Sequence, residues 1–196
     1  MANQYHPFLL LSLLLPLLSI PSSSSSTFSH EHHQDHHHHP VLKSLHFSLY
    51  QHETINQTGY IIVNGVAGAG FGQTTSPFGT IIVFNDKLTT SKSSNSSVAG
   101  IAEGTSITSS INGLQGVSFA KITLKIKGHQ GSISIVGGTN NVKPADHPVV
   151  GGTGDFLFVQ GFVRSLPVEL QGLRVVYKIE FNLYWPPYAA AVHGFK

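Results

Sequence analysis

Residues 117–128 read VSFAKITLKIKG. The alternation is strict: Phe119, Lys121, Thr123, Lys125 and Lys127 oppose Ala120, Ile122, Leu124 and Ile126. Successive side chains of a strand point to opposite faces, so this stretch has one wet face and one buried face. That is the mark of a strand in an antiparallel sheet. His129, Gln130 and Gly131 follow as a short link suited to a hairpin, leading into GSISIVGG at 131–138. Further strand-like runs lie on both sides. Upstream are KSLHFSLYQHE (43–53), GYIIVNGVA (59–67), FGTIIVFNDKL (78–88) and SVAGIAEGTSITSSI (97–111). Downstream are GDFLFVQGFVRS (154–165) and LRVVYKIEFNLYW (173–185). Gly, Asn, Asp, Ser and Pro punctuate them, and the Asn85–Asp86 end of the third run suits a turn. This makes eight strand candidates in an all-β chain. Eight antiparallel strands close naturally into a barrel, which removes exposed edges and leaves an interior that is filled or holds one small ligand.

The remaining composition excludes several classes of function. The chain has 196 residues and no cysteine, so it has no disulfide scaffold, thiol nucleophile or thiolate-bound metal. Charged residues are 10% and the formal net charge is +2, which leaves no electrostatic footprint for nucleic acid. VVGGTGDF (149–156) is not a phosphate loop. No Lys-Ser/Thr pair follows it, and the next element reads as a strand. Its Gly151, Gly152 and Gly154 mark bulges or close backbone approach.

The N-terminus reads as an address. FLLLSLLLPLLSI at 8–20 is too short to span a bilayer and fits the apolar core of a signal peptide, with Ser22–Ser26 behind it. We assign 1–26 to a signal peptide, 27–42 to a Ser/His-rich linker, 43–188 to the barrel domain and 189–196 to a tail. The mature protein is thus expected outside the cell, with no membrane segment. Asn56 with Thr58 and Asn95 with Ser97 are glycosylation acceptors consistent with that route. The tract HEHHQDHHHH at 30–39 offers imidazoles to transition metals but no fixed geometry, and reads as a solvated linker.

Four segments carry a family resemblance. HPVVGGTGDFLFVQGFV (147–163), FGTIIVFNDKLT (78–89), VAGIAEGTSITSS (98–110) and FNLYW (181–185) resemble the plant dirigent proteins over about residues 43–186. The resemblance implies a secreted, glycosylated, eight-stranded antiparallel barrel similar to allene oxide cyclase, assembled as a homotrimer. It also implies a phenolic ligand in the barrel mouth. Some members steer the coupling of phenoxy radicals made by a separate oxidase. Others act on quinone methides, and the pterocarpan synthases dehydrate a hydroxyisoflavanol and close a ring. Lignan-forming members carry Asp about where this chain has Gln51, Tyr where it has Ser106 and Thr108, and Arg where it has Gln160. Asp155 is retained. SLYQHETINQTGYIIVNGV (48–66) and LYWPPYA (183–189) resemble the legume branch that includes pterocarpan synthases.

The chemistry names the candidates. Loss of a benzylic hydroxyl needs a general acid, and ring closure needs a phenol deprotonated as it attacks. Asp155 at the start of a strand is the first candidate. Gln51 shares the Leu45–Phe47–Leu49 face and points inward. Glu53 follows on that face as a candidate acid, and His52 points outward. Asp146 and His147 sit in a loop before the signature strand, a place for an acid–base pair. Lys143, Ser106, Thr108 and Gln160 are candidates for substrate contact. Both faces of FGTIIVFN and GDFLFVQGFV carry apolar residues, so one face needs cover from another subunit or sheet. The reaction expected is redox-neutral and uses no cofactor or metal; radical guidance with an external oxidase is the alternative.

Overall fold

The structure is a computed structural model describing residues 43–189. The leader, the histidine tract and residues 190–196 lie outside the described residues. Nine strands follow in order: β1 (Lys43–Thr54), β2 (Gly59–Val63), β3 (Ile81–Thr89), β4 (Val98–Thr108), β5 (Gln115–Ile126), β6 (His129–Asn140), β7 (Ala145–Gly154), β8 (Gln160–Gln171) and β9 (Arg174–Trp185). All pairings between them are antiparallel, in the order β1-β9-β8-β7-β6-β5-β4-β3-β2, and β1 also pairs with β3. That last pairing, Tyr50 to Thr89 through His52 to Lys87, closes an eight-stranded barrel.

The eight staves are not the eight runs marked in the sequence. GYIIV is not a stave of its own. β1 and β2 meet the same edge of β3 one after the other, β1 at Lys87–Thr89 and β2 at Ile81–Phe84. Between them Thr54–Thr58 bulges out in a turn, with Asn56 at a φ of 67°. The stave that replaces it is β7, ADHPVVGGTG; its start at Asp146 and His147 reads as a loop in the sequence, and Pro148 and three glycines obscure where the strand begins and ends. GDFLFVQGFVRS is broken: β7 ends at Gly154, a tight turn follows, and β8 begins at Gln160. The β5–β6 hairpin turns at Lys127–Gly128, with φ values of 50° and 79°, one pair earlier than the His129 link expected. Two positive φ values at the central positions are what a tight hairpin with right-twisted strands requires. Asp86 does not end β3 in a turn. It sits mid-strand on the same face as Phe84 and Ile82, and is fully buried.

Inward parity is regular. Leu45, Phe47, Leu49, Gln51 and Glu53 of β1 lie opposite Leu183, Phe181, Ile179, Tyr177 and Val175 of β9. Phe47 and Phe181 stack at 4.4 Å between ring centroids, a cross-strand pair typical of sheet stabilisation. Leu49, Leu124, Ile133, Phe156, Leu183 and Trp185 belong to one buried cluster. They fill the barrel end that carries the β5–β6 hairpin, and each fully buried side chain contributes about 1.5–3 kcal/mol. The opposite end, where β4 joins β5 and β6 joins β7, is not filled. A glycine-rich loop straps its rim: Ser76 N–H donates to Gly113 O at 3.2 Å, and Asn141 Nδ2 donates to Thr74 O at 2.8 Å.

Outward parity also holds where it is least obvious. His52 faces outward as expected, yet it is buried under neighbouring chain, with Nε2 2.7 Å from Thr89 Oγ1. Across the outer surface Tyr60, Val83, Thr105, Phe119 and Val136 lie side by side on five neighbouring strands. Tyr60 is 51% exposed, Phe119 44% and Val83 41%. This is a transverse, mostly apolar row on the outside of the barrel.

Close approach fixes one glycine. Gly161 in β8 has a φ of 125°, and a Cβ there would lie 2.0 Å from Asn182 O. Gly161→Ala is therefore expected to destabilise by roughly 3 kcal/mol and lower Tm by about 6–12 °C, measured by calorimetry. A Tm within 2 °C of the parent, on the order of 1 kcal/mol, would contradict this packing.

Candidate functional site

The unfilled end of the barrel holds a cavity of about 110 Å³. Its walls are mostly apolar, from Ile82, Phe84, Ile122, Ile135, Val163 and Ile179 among others. Two polar groups of side chains face into it. One wall carries Gln51 and Glu53 from β1 and Tyr177 from β9. The other polar residues are Ser106, Ser118, Thr139, Asn141, His147 and Ser165, from β4 through β8.

The acidic wall is built by strand parity and by two local features. Gln51 Nε2 donates to Asp86 Oδ2 at 2.7 Å, tying β1 to β3 where the barrel closes. The other oxygen of Asp86, Oδ1, is buried without a partner. Glu53 packs on the backbone of Gly59, where a Cβ would meet Glu53 Oε1 at 2.8 Å. The bulge after Thr54 is what brings Gly59 back to that position.

Burial sets the protonation of this wall. It pushes Glu53 up to about 8, and the charge of Asp86 adds to the shift. Burial pushes Asp86 up to about 6, against the opposing influence of Thr58 and Gln51. The Tyr177 phenol is pushed upward by burial, then by Glu53 and Asp86, and stays protonated. At neutral pH Glu53 is therefore a neutral carboxylic acid, able to give a proton.

Asp146 and His147 lie in β7, not in a loop, and adjacent strand residues face opposite ways. Asp146 points out to Arg164, with bonds of 2.7 and 2.8 Å to its Nε and Nη2. That ion pair holds the Asp146 carboxyl below its ordinary range. His147 points in, is buried, and has Nδ1 without a hydrogen-bond partner. Burial lowers its pKa, partly offset by the Val163 and Ala145 backbone and by Asp146. The two residues are not a dyad.

The other candidates divide. Ser106 lines the cavity, whereas Thr108 is 2.5 Å from Ser76 Oγ and packs at the rim. Asp155 does not line the cavity; its Oδ2 accepts from Gln130 N–H at 2.7 Å, anchoring the turn after β7 to the start of β6. Lys143 is exposed on the β6–β7 turn. Gln160 lies on the outer surface and donates to Tyr188 OH at 3.2 Å. Asn56 and Asn95 are exposed on turns, as a glycan requires. Asp86 and Tyr177 were not among the candidates. Parity with Phe84 and with Ile179 was the signal that would have found them.

A family model for dirigent-like proteins matches residues 44–185. The chain belongs to the dirigent family. Dirigent protein 7 of Arabidopsis thaliana is 25% identical over 147 residues, spanning 72% of this chain and 76% of that protein. Dirigent protein 1 of the same plant is 25% identical over 144 residues, spanning 72% of this chain and 78% of that protein. Among solved structures, the pterocarpan synthase dirigent protein GePTS1 superposes with a TM-score of 0.65 at 20% identity, covering 74% of this chain and 91% of that one. PsPTS1, of the same description, gives 0.64 at 19% identity, covering 73% and 95%. The dirigent barrel is thus the shared fold, and among the described residues no helix is long and apolar enough to cross a membrane.

Proposed function

We propose that this dirigent protein binds a phenolic quinone-methide intermediate in the barrel. There it catalyses stereoselective dehydration and ring closure of a hydroxyisoflavanol to a pterocarpan. The observation that carries the reading is Glu53, a carboxyl on the wall of a mostly apolar cavity, where burial pushes its pKa up to about 8. Glu53 donates its proton to the benzylic hydroxyl as the C–O bond breaks, and water leaves with the bonding pair. The phenol conjugated to that carbon loses its proton, giving the methide. The second phenol then attacks the same carbon and closes the ring. The balance is one water lost and no electrons gained or lost, so the reaction calls for no redox cofactor. The apolar walls hold the flexible intermediate in one near-attack pose and keep water from trapping it. The Tyr177 hydroxyl and the free amide oxygen of Gln51 are placed to orient ligand oxygens along the acidic wall.

The likeness to two pterocarpan synthase structures supports this branch of the family. We place the protein in the apoplast, delivered by the leader at 1–26 and glycosylated at Asn56 and Asn95. It assembles there as a homotrimer through the apolar row on β2–β6. The test is a chiral chromatography assay of purified protein with a 2′-hydroxyisoflavanol, no oxidant and a chelator present. Protein-dependent formation of one pterocarpan enantiomer is expected. A rate equal to the buffer control would overturn the dehydratase reading and leave radical guidance with an external oxidase as its replacement.

A further inference from the structure

The cavity has a second titratable group that the dehydration step does not use. His147 reaches it from β7, which is separated from β1 by β8 and β9 around the barrel. It is only 4% exposed, and its Nδ1 is buried with no partner. An unpaired buried polar atom is costly, and native proteins rarely leave one. The groups that share its part of the cavity are neutral: Thr139, Asn141, Ser118 and Ser165. Its carboxylate neighbour Asp146 is turned outward and engaged by Arg164. The ring lines the cavity, and a neutral imidazole keeps one of its two nitrogens as an acceptor.

We propose that His147 is the base that binds and deprotonates the attacking phenol of the ligand, so that the second polar wall serves ring closure as the first serves dehydration. This deepens the proposed function and rests on it for the identity of the reaction. As the phenol oxygen forms its bond to the methide carbon, its O–H bond breaks and the proton passes to the His147 imidazole. The methide π pair moves through the ring to the carbonyl oxygen, which becomes a phenolate. That phenolate takes a proton from solvent as the imidazolium returns one, so the step is redox-neutral and leaves His147 neutral. The occupant is therefore a ligand with a free phenol on one ring, within ring-closing reach of the carbon that carries the leaving hydroxyl.

The test uses two substitutions and two readouts. His147→Asn keeps an acceptor but takes no proton. It is expected to lower kcat roughly 100-fold with KM changed little. His147→Leu removes both functions. For this variant, binding of two unreactive isoflavans without the benzylic hydroxyl is measured by intrinsic fluorescence. One isoflavan has the phenol free and the other has it methylated. The parent protein is expected to favour the free phenol by roughly tenfold, and His147→Leu to lose that preference. His147→Leu should fold with an equal or higher Tm, since it removes an unpaired buried group, and calorimetry checks this. Equal parental affinity for both isoflavans would overturn the proposal. So would full kcat in His147→Asn. A protein that dehydrates nothing, yet keeps a His147-dependent preference for the free phenol, would sink the dehydratase reading while supporting His147 as the phenol site.

Discussion

Glu53→Gln is expected to lose activity and gain stability at once. Glutamine keeps the shape and the contact with Gly59 but has no proton to give. Removing a general acid costs roughly 10²–10⁴-fold in turnover. The stability change follows from linkage. Glu53 binds its proton more tightly folded than unfolded, with an ordinary value of 4.5 raised to about 8. Its contribution is fully present below 4.5 and is lost as pH rises toward 8, where folding has to hold a buried carboxylate beside Asp86. That loss is on the order of a few kcal/mol. Glu53→Gln removes it, so Tm above pH 8 should rise by roughly 5–10 °C, with little change at pH 4. The parental kcat should itself fall above a pH of about 8, as the acid loses its proton. Turnover within fivefold of the parent, or a pH–stability curve unchanged by the substitution, would remove Glu53 from the mechanism.

Phe119→Glu is expected to break the assembly. Phe119 stands in the outward row between Thr105 and Val136, with Val83 and Tyr60 beyond Thr105. The barrel interior has no room to turn it inward, because Ala120 and Ile122 already occupy that face. A phenyl ring buried between subunits contributes about 1.5–3 kcal/mol, and symmetry repeats it in each copy. A glutamate in its place has to be desolvated without a partner, which costs several kcal/mol more. Sedimentation should show the parental mass falling to about one third, with the far-UV spectrum of the barrel kept. A parent that already sediments as one chain would refute the trimer outright. A variant that keeps the parental mass would move the interface off this row.

The regular parts of the barrel were legible because their side chains alternate. β5 shows one wet face, and β1 shows Gln51 and Glu53 in line with Leu49, so the inward direction of both followed. β7 was hidden because its glycines carry no side chains to alternate and Pro148 reads as a breaker. That same blindness put Asp146 and His147 together in a loop, when the pleat separates them. Asp86 was lost for a related reason. Asn-Asp is a common turn pair, and local turn chemistry outweighed the parity that runs on from Ile82 and Phe84. Asp155 shows the converse. A retained acid in a recognisable motif anchors a turn, and the acid that faces the cavity comes from the end of β1.

The barrel is filled at one end and open at the other, and this has a kinetic consequence. Among the described residues the cavity lies at that end, under the strapped rim. On the proposed dehydration, a ligand that enters and leaves by this end makes product and substrate compete for the same free protein, so competitive inhibition by added product is the expected result of initial-rate measurements.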